Sequence, residues 1–118
     1  MVRMAPIEDE EVHAHCDAAV SLAFTVLGKR WNGMIISALG NGASTFGGLR
    51  RAVAGISDAV LSERLVELTE AHLITRAVVP GPPVGVSYRL TDSGERLLPI
   101  LTQLGAWALG NLSDPSGR

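Results

Sequence analysis

Along residues 16–27 the apolar side chains Val20, Ala23, Phe24 and Leu27 recur at i, i+3, i+4 and i+7. This is the stripe of an amphipathic helix, and Gly28 stands where helix ends favour glycine. Trp31, Ile35 and Leu39, with Met34 and Ala38 between them, keep the same period. They predict a second helix over residues 29–39, stopped by Gly40-Asn41-Gly42. Ser44 or Thr45 then caps a short third helix, with Phe46, Leu49 and Val53 on one side and Arg50 and Arg51 on the other. Ala54-Gly55-Ile56 reads as a tight turn. Ser57 follows as an N-cap, Asp58 complements the positive end of the next helix, and Leu61, Leu65 and Leu68 carry that helix to about Ala71.

The period then changes from helical to alternating. Ile74 to Val79 is β-rich, Pro80-Gly81-Pro82-Pro83 breaks it, and Val86 to Leu90 alternates again, so the pair forms a hairpin. Thr91 with Asp92 caps a last helix in which Leu97, Leu98, Leu101, Leu104, Trp107, Ala108 and Leu112 cover much of the circumference and Pro99 introduces a bend. A short helix joined by a glycine-containing turn to a second helix is the helix-turn-helix unit, and a hairpin directly after it is a wing. The expected fold is mainly α with a small β-hairpin: a winged helix-turn-helix with extra N- and C-terminal dimerisation helices. The expected organisation is a polar N-terminal segment over residues 1–15, frayed or loosely helical, one domain over 16–112 and a short tail over 113–118.

Composition narrows the class. The 118 residues suit one domain, and 47% apolar with only 4% aromatic residues means an aliphatic core. A single cysteine, Cys16, allows no internal disulfide and fits a reducing cytoplasm. Residues 31–49 are uncharged but hold five glycines, so they do not read as a membrane span. The N-terminus carries Glu8, Asp9, Glu10 and Glu11 where a signal peptide would be basic and then apolar. The whole-chain charge of −2 conceals an asymmetry. Residues 1–17 carry −4, residues 28–90 carry +3 and residues 91–118 carry −1, so the middle is the basic part and suits a nucleic-acid face. A phosphate-binding glycine loop, a paired-carboxylate spacing and a nucleophile with a base nearby in sequence are all missing, so an enzyme is not expected.

In a helix-turn-helix the second helix enters the major groove with its N-terminal residues on base edges. Those are Ser57, Asp58, Ala59, Ser62 and Glu63, followed by Arg64. Arg64 could reach a phosphate or a guanine, or pair with Glu67 at i+3 instead. Glu63 is either a solvated residue or an acceptor for cytosine. Arg50 and Arg51 lie on the supporting helix, where phosphates pass. Lys29 and Arg30 at the start of the second helix, and Ser44 and Thr45 at the start of the third, stand where free N–H groups meet phosphates. Arg76 and Arg89 on the hairpin strands and Val84-Gly85 near its tip would make the wing contact. Asp58 and the uncharged wing tip favour the rival reading, a winged-helix protein-interaction module with little or no DNA binding. Phe24, Trp31 and Trp107 are candidates for an effector pocket, or simply core. His13, His15 and Cys16 make a weak metal-ligand set, and neither a metal nor a cofactor is expected.

The string Leu27-Gly28-Lys29-Arg30-Trp31-Asn32-Gly33-Met34-Ile35-Ile36 resembles the signature of the HxlR (DUF24) transcription regulators. Phe46 to Arg50, then Gly55-Ile56-Ser57 with Leu61 to Leu68, is similar to that family's helix-turn-helix. Tyr88-Arg89-Leu90-Thr91 with Gly94, Leu97 to Leu101 and Trp107 resembles its last strand and helix. The resemblance spans about residues 16–110. It implies a homodimeric repressor on a palindromic operator in double-stranded DNA; the apolar first and last helices are expected either to pair two copies or to fill out an intrachain core. Two departures stand out: the family usually places Lys or Arg at the position of Asp58 or Ala59, and a basic residue where Val84-Gly85 forms the wing. The resemblance to the thiol-sensing subgroup implies that Cys16, set before the first helix, reacts with electrophiles or oxidants. A helix N-terminus would favour its thiolate, whereas Asp17 disfavours it. The other reading of Cys16 is a buried, inert thiol.

Overall fold

A computed structural model describes residues 6–113, with side chains from residue 17 onward. Five helices and one hairpin follow in the order α1 (Pro6–Leu27), α2 (Asn32–Gly40), α3 (Phe46–Ala52), α4 (Asp58–Glu70), β1 (Ile74–Val79), β2 (Gly85–Leu90) and α5 (Asp92–Asn111). The mainly helical fold with one antiparallel hairpin is therefore as expected. Two helix starts are not. α1 begins at Pro6 rather than near Cys16. α2 begins at Asn32 rather than Lys29, because Trp31 adopts φ 85°, the left-handed region that a continuing helix excludes. Lys29 and Arg30 consequently lie in a turn, closed by the Asn32 N–H donating to the Lys29 carbonyl at 3.3 Å.

The core gathers around α2. Ile35, Ile36 and Leu39 of α2, Leu49 of α3, Leu61, Leu65 and Leu68 of α4, and Ile74 of β1 are buried together. Leu97, Leu98 and Leu101 of α5 close the far side, and Val26 brings the end of α1 onto the cluster. Asn32 is the one buried polar residue among those described. Its Nδ2 donates to the Val26 carbonyl at 2.8 Å, satisfying one of the carbonyls that a helix end leaves free and fastening α1 to α2.

The helix-turn-helix is cut to length by local chemistry. Thr45 Oγ1 accepts from Gly48 N–H at 3.0 Å, and Ser57 Oγ accepts from Val60 N–H at 3.2 Å, so both predicted caps form. Gly55, at φ 94°, makes the left-handed bend between α3 and α4 and lies against the Trp31 ring. β1 pairs antiparallel with β2 from Ile74↔Leu90 to Val79↔Gly85. The hairpin is tied to the head where Tyr88 N–H donates to the Ser44 carbonyl at 2.7 Å. Thr91 caps α5 through Gly94 N–H, and Gly94 lets the first turn of α5 pass directly against the Leu73 carbonyl, where any Cβ would collide.

Candidate nucleic-acid interface

The spacing that buries Leu61, Leu65 and Leu68 turns Ala59, Ser62, Glu63 and Val66 of α4 outward, all exposed. Val66, 55% exposed, belongs to this surface although it was not among the expected contacts. The signal for it was present, since residue 66 shares the helical face of 59, 62 and 63 opposite the leucines.

The cations around α4 are held by its own acids. Glu67 joins two of them: Oε2 lies 3.0 Å from Lys29 Nζ and Oε1 lies 2.6 Å from Arg64 Nη1. Hydrogen bonds from Lys29 and Arg64 hold the Glu67 carboxyl below the usual carboxylate range, against a smaller opposing effect of burial. Arg64 is only 18% exposed, also lies 3.5 Å from Glu63 Oε1, and has its Nε buried without a partner. The pairing alternative for Arg64 is the one the geometry displays, so its guanidinium lies along the flank of α4 rather than on the outward face. Asp58 Oδ1 receives Arg50 Nη1 at 3.3 Å. The unexpected acid at the start of α4 thus sits on one of the two cations of α3.

The remaining candidates are spread over three places. Arg30 stacks on the Trp31 ring, 4.4 Å from its centroid, in a cation–π contact. Arg51 lies beside Gly47 on α3, and Arg76 and Arg89 lie on the hairpin strands; none forms an ion pair with another described residue. Ser44 is exposed with its carbonyl committed to Tyr88, and Thr45 is committed as a cap. Val84 is 69% exposed just before β2, and Gly85 is half-buried as the first residue of that strand. The start of α2 offers its N–H groups from Asn32 rather than from Lys29, which corrects the expected phosphate position.

Phe24, Trp31 and Trp107 line none of the cavities described. Phe24 and Trp107 are 53% and 54% exposed on different helices, while Trp31 packs against the core and Gly55. The largest cavity described, about 710 Å³, instead lies between α2, α3 and α5, lined by Gly33, Met34, Ser37, Asn41, Leu101 and Gly105 among others. Cys16 lies inside α1, ten residues beyond its first residue, so no helix N-terminus is available to its thiol. About 17 Å of helix separates it from Leu27, keeping Lys29 and Arg30 distant as well. The side chains of His13, His15 and Cys16 lie outside those described. Among the described residues no metal-binding group occurs, and no helix is long and apolar enough to cross a membrane.

Comparison with known proteins gives concordant matches. The model of the HxlR-like helix-turn-helix family matches residues 26–115. The HTH-type transcriptional regulator YodB of Bacillus subtilis is 42% identical over 86 residues, covering 73% of this chain and 77% of that protein. The crystal structure of diamide-treated YodB covers 96% of this chain and 100% of its own, with a TM-score of 0.65 and 34% identity. The redox regulator HypR in its oxidized form is 29% identical over 81% of this chain and 99% of its own, with a TM-score of 0.74.

Proposed function

The chain belongs to the HxlR-like helix-turn-helix family of transcriptional regulators and is not an enzyme, and on that footing we propose that it is a cytoplasmic, homodimeric repressor of a palindromic operator. The observation that carries DNA binding is the unit itself: α3, the Gly55 turn and α4, followed by a hairpin fastened to the head at Ser44. Arg51 on α3 and Arg76 and Arg89 on the hairpin, which form no ion pair with another described residue, would meet phosphates, and the outward side of α4 would meet bases. Val84 and Gly85 form a wing tip without charge, and Asp58 offsets Arg50. Each phosphate left without a cation in this way lowers the salt slope by about 0.9, so the reading carries an expectation of weak non-specific binding.

Pairing through the terminal helices is supported by apolar surface left open there. Val20, Leu22 and Phe24 on α1 and Ile100, Leu104, Trp107 and Leu109 on α5 are all at least 45% exposed. A run of that kind on two helices is more than scattered surface hydrophobicity. A two-fold pair would set the two α4 helices about one DNA turn, roughly 34 Å, apart.

Control by Cys16 is supported by relatives: YodB has been solved both diamide-treated and reduced, and HypR is a redox regulator solved in both forms. In this chain Cys16 is the single thiol and stands on α1, one of the two helices proposed for pairing. The test is an electrophoretic shift with the DNA upstream of the chain's own gene. A salt-sensitive complex released by diamide in the native protein, and retained by Cys16→Ser, is expected. No complex at low salt with folded protein refutes DNA binding, and release of the Cys16→Ser protein by diamide refutes the role of Cys16.

A further inference from the structure

The way α4 disposes of its charges determines what its outward face can recognise, on the reading that this helix enters the major groove. Arg64 is the only cation of α4, and it is drawn onto Glu67 at 2.6 Å, with 18% exposure. The outward side offers Ala59, Ser62, Glu63 and Val66. Guanine is read through its N7 and O6 acceptors by arginine or lysine, and no such donor stands on this side. What does stand there is a carboxylate, a hydroxyl and two apolar groups. Their natural counterparts in the major groove are the cytosine N4 amino group, which donates to a carboxylate, and the thymine C5 methyl, which packs against apolar side chains. Ser62 can serve any base and assigns none.

We propose that each operator half-site is read by Glu63 accepting from a cytosine N4–H, with Ala59 and Val66 packing on thymine methyl groups to either side. Glu63 is 64% exposed, so it can enter the groove. Arg64 Nη1, 3.5 Å from Glu63 Oε1, is its positioning residue: it supplies the opposite charge that a carboxylate needs among phosphates and limits where that carboxylate points. The spacing agrees. Ala59 and Val66 are seven residues apart, about 10 Å along the helix, and base pairs rise about 3.4 Å, so the two apolar groups span about three base-pair steps with Glu63 between them. The resulting core motif is a C·G pair flanked by A·T pairs.

The experiment is selection of bound duplexes from a random-sequence pool by the full chain, by Glu63→Gln and by Arg64→Gln. The native chain is expected to enrich a C·G pair at one position of each half-site. Glutamine reads adenine through N6 and N7, so Glu63→Gln is expected to change that pair to A·T, a reversal of about five- to tenfold in preference. Deoxyuridine in place of the flanking thymines removes the methyl groups. It is expected to weaken the native chain several-fold and to matter less for Val66→Ala. An unchanged consensus in Glu63→Gln overturns the proposal. So does loss of the C·G preference in Arg64→Gln while Glu63→Gln keeps it, which would mark Arg64 as a guanine reader. A native chain that binds duplex but selects no sequence overturns this proposal alone, whereas one that retains no duplex at low salt overturns the DNA-binding reading as well, so the two failures are distinguishable.

Discussion

Replacing Asp58 with asparagine separates the two things this residue does. Its carboxylate receives Arg50 at 3.3 Å, with the two side chains 65% and 56% exposed. So open a pair contributes at most about 1 kcal/mol to stability, and Arg50 leaves it at little cost. Near DNA, however, Asp58 both competes with phosphate for Arg50 and repels the backbone. Asp58→Asn removes both effects while preserving shape and leaving the Ser57 cap in place. If Arg50 then engages a phosphate, one further counterion is released and the slope of log affinity against log salt steepens by about 0.9. Going from about 50 to about 200 mM salt, the variant would lose roughly 3.5-fold more affinity than the native chain. Stability moves the other way. Asp58 is an acid in the first turn of α4, and losing it costs about 0.3–1 kcal/mol, a fall of a few degrees in Tm. The assay is fluorescence anisotropy on a labelled random-sequence duplex across a salt series, with Arg50→Gln/Asp58→Asn as the control that should restore the native slope. An unchanged slope in Asp58→Asn, or a steep slope that survives in the double variant, refutes the reasoning.

Leu61 is fully buried between α4 and the rest of the core, so Leu61→Ala should destabilise the fold by about 2–5 kcal/mol in denaturant unfolding; a loss below about 1 kcal/mol would show that the site is not packed as described. Glu67 holds its proton less tightly when folded than when unfolded, because Lys29 and Arg64 favour the carboxylate. Its contribution is therefore present above the usual carboxylate range and is lost as the pH falls through the lowered pKa. Glu67→Gln should unfold more easily than the native chain at neutral pH, with the gap closing in acid; a gap that stays constant from neutral pH into acid would contradict the assignment.

The head was legible because its signals are local. The glycine of the turn, the caps at Thr45 and Ser57 and the leucine spacing of α4 each act within a few residues, and each is present in the fold. The start of α2 was not legible, since Trp31 fits the apolar period while its backbone adopts the left-handed region. The early start of α1 was not legible, because residues 6–15 are rich in acids and histidines and carry no apolar period that would mark a helix. In the candidate site the Arg64–Glu67 pair lies within i,i+3 reach, so the sequence offers it as an alternative to a DNA contact. The bridge from Glu67 to Lys29 crosses 38 positions and has no sequence signal. Aromatic residues suggested a pocket that small ones in fact create: Gly33, Ala38, Gly105 and Ala108 shape the cavity by lacking bulk.

The junction between α1 and α2 makes the first helix a lever. Its 22 residues extend about 33 Å from a fulcrum formed by one turn and one buried amide, that of Asn32. A rotation of about 10° there would sweep the distal end through about 6 Å, nearly two base-pair steps along a duplex. An assembly that paired through α1 would inherit its reach from the stiffness of that junction, where Asn32 is buried.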